Sequence, residues 1–166
     1  FGREAQNIVD RARDRVAKAI NAEKSNEIYF TGSGSEANNW AIKGLARANR
    51  AKGNHIIVSS IEHDSVLEAC KELEKEGFEV TYLSVDETGL VSLAELLHYI
   101  KPETILISVM SVNNEVGTIQ NIKAFAKTAH ENGIIFHTDA VQAIGALKMD
   151  VRDMEIDAMT MSAHKI

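Results

Sequence analysis

The sequence predicts an α/β fold of three layers, a mainly parallel sheet with helices on both faces. Short apolar segments and helical segments alternate along all 166 residues, which is the order a parallel sheet requires. Several of the short segments, Thr104–Met110 (TILISVM) above all, are apolar throughout rather than alternating, as strands covered on both faces are. Glycines close two of the helical segments, Gly77 and Gly133. With such strands the connections are right-handed crossovers.

In order, Ile8, Ala12, Val16, Ala19 and Ile20 recur at three and four, which makes Arg3–Glu23 an amphipathic helix. Glu27–Thr31 reads as a short buried strand, followed by the loop Gly32-Ser33-Gly34-Ser35-Glu36 and a helix from Ala37 to about Lys52. His55–Ser60 is a strand. Asp64–Glu76 is a helix with Val66, Leu67, Cys70 and Leu73 on one side. Glu79–Val85 is the next strand, and Ser92 with Glu95 forms a capping box for a helix that ends near Lys101, before Pro102. After Thr104–Met110 come a helix over Ile122–Asn132, a strand over Ile134–Thr138, a short helix over Ala140–Ile144 and a last strand over Ala158–Ser162.

The composition excludes several classes. A net charge of -6 without any basic run argues against a nucleic-acid partner. No apolar run reaches membrane-spanning length and no signal peptide opens the chain, so no membrane partner is expected. One cysteine, Cys70, precludes an internal disulfide and suits a reducing compartment, the cytoplasm. The chain opens on Phe1 without a preceding cap and stops at Ile166 inside a strand-to-loop transition, so residues 1–166 are expected to be a single partial domain, truncated at both ends.

In open α/β sheets the working residues lie at the carboxyl ends of the strands. Five places qualify. Gly32–Glu36 fits a phosphate loop, with Ser33 or Ser35 adding a hydroxyl; Gly32-x-Gly34-x-x-Ala37 also fits a loose dinucleotide fingerprint, and Ser33 with Glu36 also fits a capping box. Glu62-His63-Asp64 offers an imidazole able to lie against a ring, or else a structural histidine with Asp64 as helix N-cap. Asn113–Thr118 is a turn, or places an Asn to donate to a phenolate oxygen. Asp139 and Gln142 face one side of a helical turn: a buried carboxylate needs a cation, and a protonated pyridine nitrogen is one, while an N-cap role for Asp139 is the alternative. Ser162-Ala163-His164-Lys165 presents an amine beside a hydroxyl and an imidazole able to grip a phosphate, or a solvated lysine leaving the core. Jointly these are the parts that pyridoxal phosphate requires, whereas a dinucleotide site leaves Lys165 and Asp139 without a role. No metal site is assigned.

The stretches FTGSGSEANNWAIKG, SSIEHDSVL, KEGFEVTYL, VNNEVGTIQNI, FHTDAVQAIG and MSAHKI, in that order, resemble the cysteine desulfurases among the fold-type I pyridoxal phosphate enzymes, class V aminotransferase-like proteins. The resemblance runs over the whole chain and implies part of the large, cofactor-binding domain. By position it implies that Lys165 holds the cofactor through its amine, Asp139 pairs with the pyridine nitrogen and Gln142 contacts the ring oxygen. His63 would stack on the ring and move protons, so Lys165 and His63 are the catalytic candidates. Asn114 would sit near the ring oxygen and the substrate carboxylate, and Gly34, Ser35, Ser162 and His164 would bind the phosphate. Gly34-Ser35 stands where the family often has Ala-Thr. The resemblance further implies L-cysteine as substrate, an iron-sulfur scaffold or other sulfur-acceptor protein as partner, and a homodimer. The family's nucleophilic cysteine and carboxylate-binding arginine belong to later sequence, and Cys70, on the apolar face of a helix, is no substitute. A selenocysteine lyase or an aminotransferase of the same fold, a dinucleotide-binding domain and a non-catalytic scaffold fragment are the other readings.

Overall fold

The computed structural model describes residues 2–165. The elements run α1 (Gly2–Ala19), α2 (Gly34–Ala48), β1 (His55–Ser59), α3 (Asp64–Lys75), β2 (Glu79–Leu83), α4 (Leu93–Tyr99), β3 (Thr104–Ser108), α5 (Ile122–Glu131), β4 (Ile135–Asp139) and β5 (Ala158–Thr160). The five strands form one sheet in the order β2-β1-β3-β4-β5, every pairing parallel. The expected α/β architecture is therefore present.

Side-chain alternation on the strands explains the layers. Ile56, Val58 and Leu106 pack with Ile42 and Ala46 of α2 and Val66, Cys70 and Leu73 of α3 on one face. Ile57, Ile107 and Phe136 pack with Leu96 of α4 and Phe125, Ala126 and Ala129 of α5 on the other. Burial of β1 and β3 is complete along all five positions of each strand, which is why neither alternates in sequence. From β1 the chain crosses by α3 to β2, then by α4 back over β1 to β3. Reversing direction with right-handed crossovers places α3 and α4 on opposite faces. The reversal makes a topological switch point between β1 and β3.

At the opposite edge the backbone is tight. Gly53 lies so close to residue 103 that a Cβ would come within 2.2 Å of the Glu103 carbonyl oxygen, so only glycine fits there. His55 is fully buried, with Nδ1 2.8 Å from Thr104 Oγ1 and Nε2 2.8 Å from Thr81 Oγ1, bridging β1 to both of its neighbours.

Three local expectations are corrected. Glu27–Thr31 is no strand: after a 3-10 turn at Ser25–Glu27 the chain runs extended at Ile28 without a ladder partner, with Tyr29 and Phe30 exposed. The Ile28 carbonyl accepts from Arg13 Nε at 3.1 Å. Ala140–Ile144 is a pair of turns closed on the Ala140 carbonyl, not a helix. At α4 half of the capping box forms: Ser92 Oγ accepts from Glu95 N, but the Glu95 carboxylate accepts from Ser84 N and Oγ instead of turning back to its own cap. The cap-free start at Phe1 and the stop at Ile166 lie outside the described residues.

Candidate active site

A cavity of about 1000 Å³ lies between α2, the ends of β4 and β5 and the extended segment 28–33. Eight of the sequence-predicted site residues line it: Gly34, Ser35, His63, Asn114, Asp139, Gln142, Ser162 and His164. Six of them lie at or just after the carboxyl ends of parallel strands, and Gly34 and Ser35 lie at the start of α2. Lys165 follows His164 in a 3-10 turn, Ala163–Lys165, and is exposed but not part of the lining. Its N–H donates to the Ser162 carbonyl at 3.2 Å.

Asp139 is the last residue of β4 and only 4% exposed. Its Oδ1 accepts from Val141 N at 2.9 Å, and its Oδ2 accepts from Asn38 Nδ2 at 2.7 Å. It thus caps a turn, not the expected helix, and still forms no ion pair among the described residues. A carboxylate taken out of water with neutral donors alone is incompletely compensated. A cation arriving in the cavity would complete it. Gln142 is half-buried beside it, and Asn114 is exposed on the loop after β3. That loop is held by its neighbour Asn113, whose Oδ1 accepts from Glu115 N and Val116 N at 2.9 and 3.0 Å.

His63, not Asp64, caps α3: its Nδ1 accepts from Ser65 N at 3.1 Å, and Asp64 is already helical. The difference arises because the imidazole reaches the N–H of the second helical residue from the cap position, leaving the Asp64 carboxylate to favour the helix N-terminus through its charge.

Gly34 and Ser35 open α2, where the first N–H groups of a helix have no partner within it. Ser33 caps this helix, its Oγ accepting from Glu36 N at 3.1 Å, while Glu36 Oε2 accepts from Gly32 N at 2.6 Å. A capping arrangement and an anion-binding helix start therefore coexist. The dinucleotide fingerprint lacks the strand that must precede it, since segment 28–32 joins no sheet. A Cβ on Gly34 would lie 3.4 Å from Val141 Cγ2 and 3.6 Å from Ser162 Cβ, so the glycine lets α2 approach the end of β5. There Ser162 Oγ and His164 Nδ1 are 2.7 Å apart. Backbone N–H groups, two hydroxyls and an imidazole form a donor set suited to phosphate. With the unpaired Asp139, the residues fit pyridoxal phosphate.

Sequence reasoning missed Asn38, Ser65 and Glu62. Asn38 is 1% exposed and contacts a residue 101 positions away. Glu62 is 5% exposed, and its Oε1 accepts from Ser59 Oγ and Met110 N, each at 2.6 Å, tying β1 to the segment after β3 at the switch point. Its Oε2 has no partner, and burial, opposed by those two hydrogen bonds and reinforced by the charge of Asp139, pushes its pKa up to about 8. Asn38 Oδ1 and Thr138 Oγ1 are also buried without partners. An orphaned buried polar atom costs about 1–3 kcal/mol, and all three belong to site residues or their immediate neighbours. Cys70 is buried at 0% exposure, and burial pushes its thiol up to about 12, as an inert core cysteine requires.

The sequence profile of class-V aminotransferases matches residues 1–166. The chain belongs to that family. Among its members, the chain is 58% identical over 165 residues to a cysteine desulfurase IscS of Clostridium botulinum (strain Hall), a match spanning 99% of this chain and 41% of that protein. It is 55% identical to a cysteine desulfurase IscS of Methanosarcina thermophila, covering 99% of this chain and 41% of the relative. Its fold superposes with a TM-score of 0.94 on a structure described as SspA in complex with cysteine, at 44% identity, covering 99% of this chain and 47% of that one. The chain therefore spans about two-fifths of the length of these curated relatives.

Proposed function

We propose that this chain is part of the cofactor-binding large domain of a pyridoxal phosphate-dependent cysteine desulfurase. The parent protein would convert L-cysteine to L-alanine and pass the sulfur on through an enzyme persulfide. The observation that carries this reading is Asp139: a buried carboxylate in the cavity wall, bonded only to neutral donors among the described residues. The similarity to proteins named cysteine desulfurase, and to a structure described as a complex with cysteine, supports the substrate.

When bound, the cofactor supplies an electron sink for negative charge at the substrate's α-carbon. Asp139 would hold the proton of the pyridine nitrogen, and Gln142 would donate to the ring oxygen. Gly34, Ser35, Ser162 and His164 would bind the phosphate through N–H, hydroxyl and imidazole groups. His63 would lie against the ring and hold or move a proton at Nε2, and Asn114 would orient the substrate carboxylate. Lys165 would supply the amine that attaches the cofactor. Its exposure in the present arrangement leaves the amine hydrated, so its nucleophilicity would rise once the cavity is filled and water is displaced.

The sulfur-accepting thiol must come from outside these 166 residues, since their one cysteine is buried with its pKa pushed up to about 12. The isolated chain is therefore expected to form neither alanine nor persulfide. The parent would act as a homodimer in the cytoplasm and hand sulfur to an iron-sulfur scaffold or other acceptor protein. In the parent protein, added pyridoxal phosphate is expected to give a visible absorption band that borohydride fixes covalently, and Lys165→Ala is expected to abolish the fixation with no change in melting temperature. Covalent fixation undiminished in Lys165→Ala, or binding of NAD in its place, would overturn the assignment.

A further inference from the structure

Three hydrogen bonds connect Asp139 to His63 through two residues that sequence reasoning passed over. Asn38 Nδ2 lies 2.7 Å from Asp139 Oδ2 and 3.0 Å from Ser65 Oγ, and Ser65 Oγ lies 2.8 Å from His63 Nδ1. The donor inventory gives this chain one direction. A carboxylate oxygen accepts, so the Asn38 amide must present nitrogen and not oxygen to Asp139, which leaves Oδ1 in its buried position without a partner. The second amide hydrogen goes to Ser65 Oγ. With its lone pair so engaged, the Ser65 hydroxyl is free to donate, and His63 Nδ1 is within its reach. The Ser65 backbone N–H also points at Nδ1, from 3.1 Å. A backbone N–H can only donate, so Nδ1 carries a lone pair. A neutral imidazole has one donor and one acceptor, and the proton is therefore on Nε2.

We propose that Ser65 and Asn38 are positioning residues that fix His63 as the Nε2–H tautomer, so that the ring meets the occupant of the cavity as a hydrogen-bond donor. His63 Nε2 has no hydrogen-bond partner among the described residues, on an exposed ring that lines the cavity. One amide thereby aligns two groups at once, the acid assigned to the cofactor's ring nitrogen and the imidazole assigned to its face. The tautomer is a property of the protein alone. Its use toward a bound cofactor rests on the function proposed above.

The test is imidazole nitrogen NMR on the parent protein labelled with 15N-histidine, free of cofactor, at a pH alkaline enough to keep the rings neutral. His63→Gln identifies the His63 signals among those of the six histidines of this stretch. Nδ1 is expected at the acceptor-type end of the nitrogen range and Nε2 at the N–H end. Ser65→Ala, which loses the hydroxyl but keeps the backbone N–H that donates to Nδ1, is expected to draw both nitrogens part of the way toward the average of the two tautomers, Asn38→Ala to do so by a smaller amount, and Ser65→Thr, which restores the hydroxyl, to return them. A circular dichroism melt checks that each variant folds. Should Ser65→Ala not fold, Ser65→Thr against Ser65→Val compares isosteres with and without the hydroxyl. An Nδ1–H tautomer in the unaltered protein, or His63 signals that stay in place when the hydroxyl is removed, would overturn the proposal. Because the spectra need no cofactor, failure of pyridoxal phosphate to bind would reject the functional reading and leave this one standing.

Discussion

His55 and His137 are both fully buried imidazoles that bridge three strands, and their surroundings differ. His55 joins β2, β1 and β3 through Thr81 and Thr104, in a region where backbone abuts backbone at Gly53 and both faces of the strands are covered. His137 joins β3, β4 and β5, with Nδ1 2.8 Å from Ser108 Oγ and Nε2 3.1 Å from Thr160 Oγ1. Burial pushes its pKa down to about 4. Beside it lie the unpartnered Thr138 hydroxyl, the half-compensated Asp139, and a terminal strand of three residues that borders the cavity. The first half of the sheet satisfies its own polar groups. In the second, Thr138 Oγ1 is left without a partner and Asp139 is met by neutral donors alone, so a satisfied scaffold lies beside an incompletely compensated cavity wall.

The contrast can be broken at its strongest point first. Leu106, at 0% exposure in the central strand β3, anchors the closed half, and Leu106→Ala is expected to cost about 2–5 kcal/mol in denaturant unfolding. A loss near zero would mean that the closed half is not the stabilising one.

Glu62 stands where the two halves meet, and its effect depends on pH. Its folded pKa of about 8 lies above the ordinary 4.5, so the folded protein holds a proton that the unfolded chain releases. The stability from that proton is complete below pH 4.5, falls as pH rises toward about 8 and is flat beyond. Each tenfold difference in proton affinity between the folded and unfolded chain is worth about 1.4 kcal/mol, so the fall amounts to a few kcal/mol. Glu62→Gln, a neutral side chain of the same shape, is expected to remove this slope when unfolding free energies are compared across the window. An unchanged slope would show that Glu62 ionises freely.

The smallest effect is expected in the open half. Ser33→Ala removes the cap of α2 and should cost about 1 kcal/mol. A loss there as large as that of Leu106→Ala would erase the distinction between the halves.

The alternation of strand and helix was legible because it is written in local periodicity: β1, β2, β3 and β5 fall within the segments read from it, and β4 runs one residue past its segment, to Asp139. What depended on distant partners was not. Glu27–Thr31 has a strand's composition, but a strand exists only where another lies alongside. Ser92 with Glu95 has the spacing of a capping box, yet the N–H and hydroxyl of Ser84, eleven residues upstream, take the carboxylate. Four of the five site loops follow parallel strands, which collect them at one edge, and that rule needs no distances; the Gly32–Glu36 loop follows no strand and was found from its glycines. Asn38 was invisible for the opposite reason: nothing within a helical turn of it hints at Asp139.

The cavity's walls also set a timetable. One is made by α1, segment 28–35 and the start of α2, and the other by β4, β5 and the turns between them, with Asn21 bonded to Asp150 across 129 positions and Val151 N–H to the Ile20 carbonyl. During synthesis the first wall emerges long before the second, and the loop joining them closes late because the chain entropy spent on it is recovered only when β5 docks. Until then Ala17, Ile20 and Ile28 lack the Met159 and Val151 side chains that cover them. A nascent chain therefore carries the start of α2 before Asp139 exists to face it, and the cavity has both of its walls only once β5 has docked.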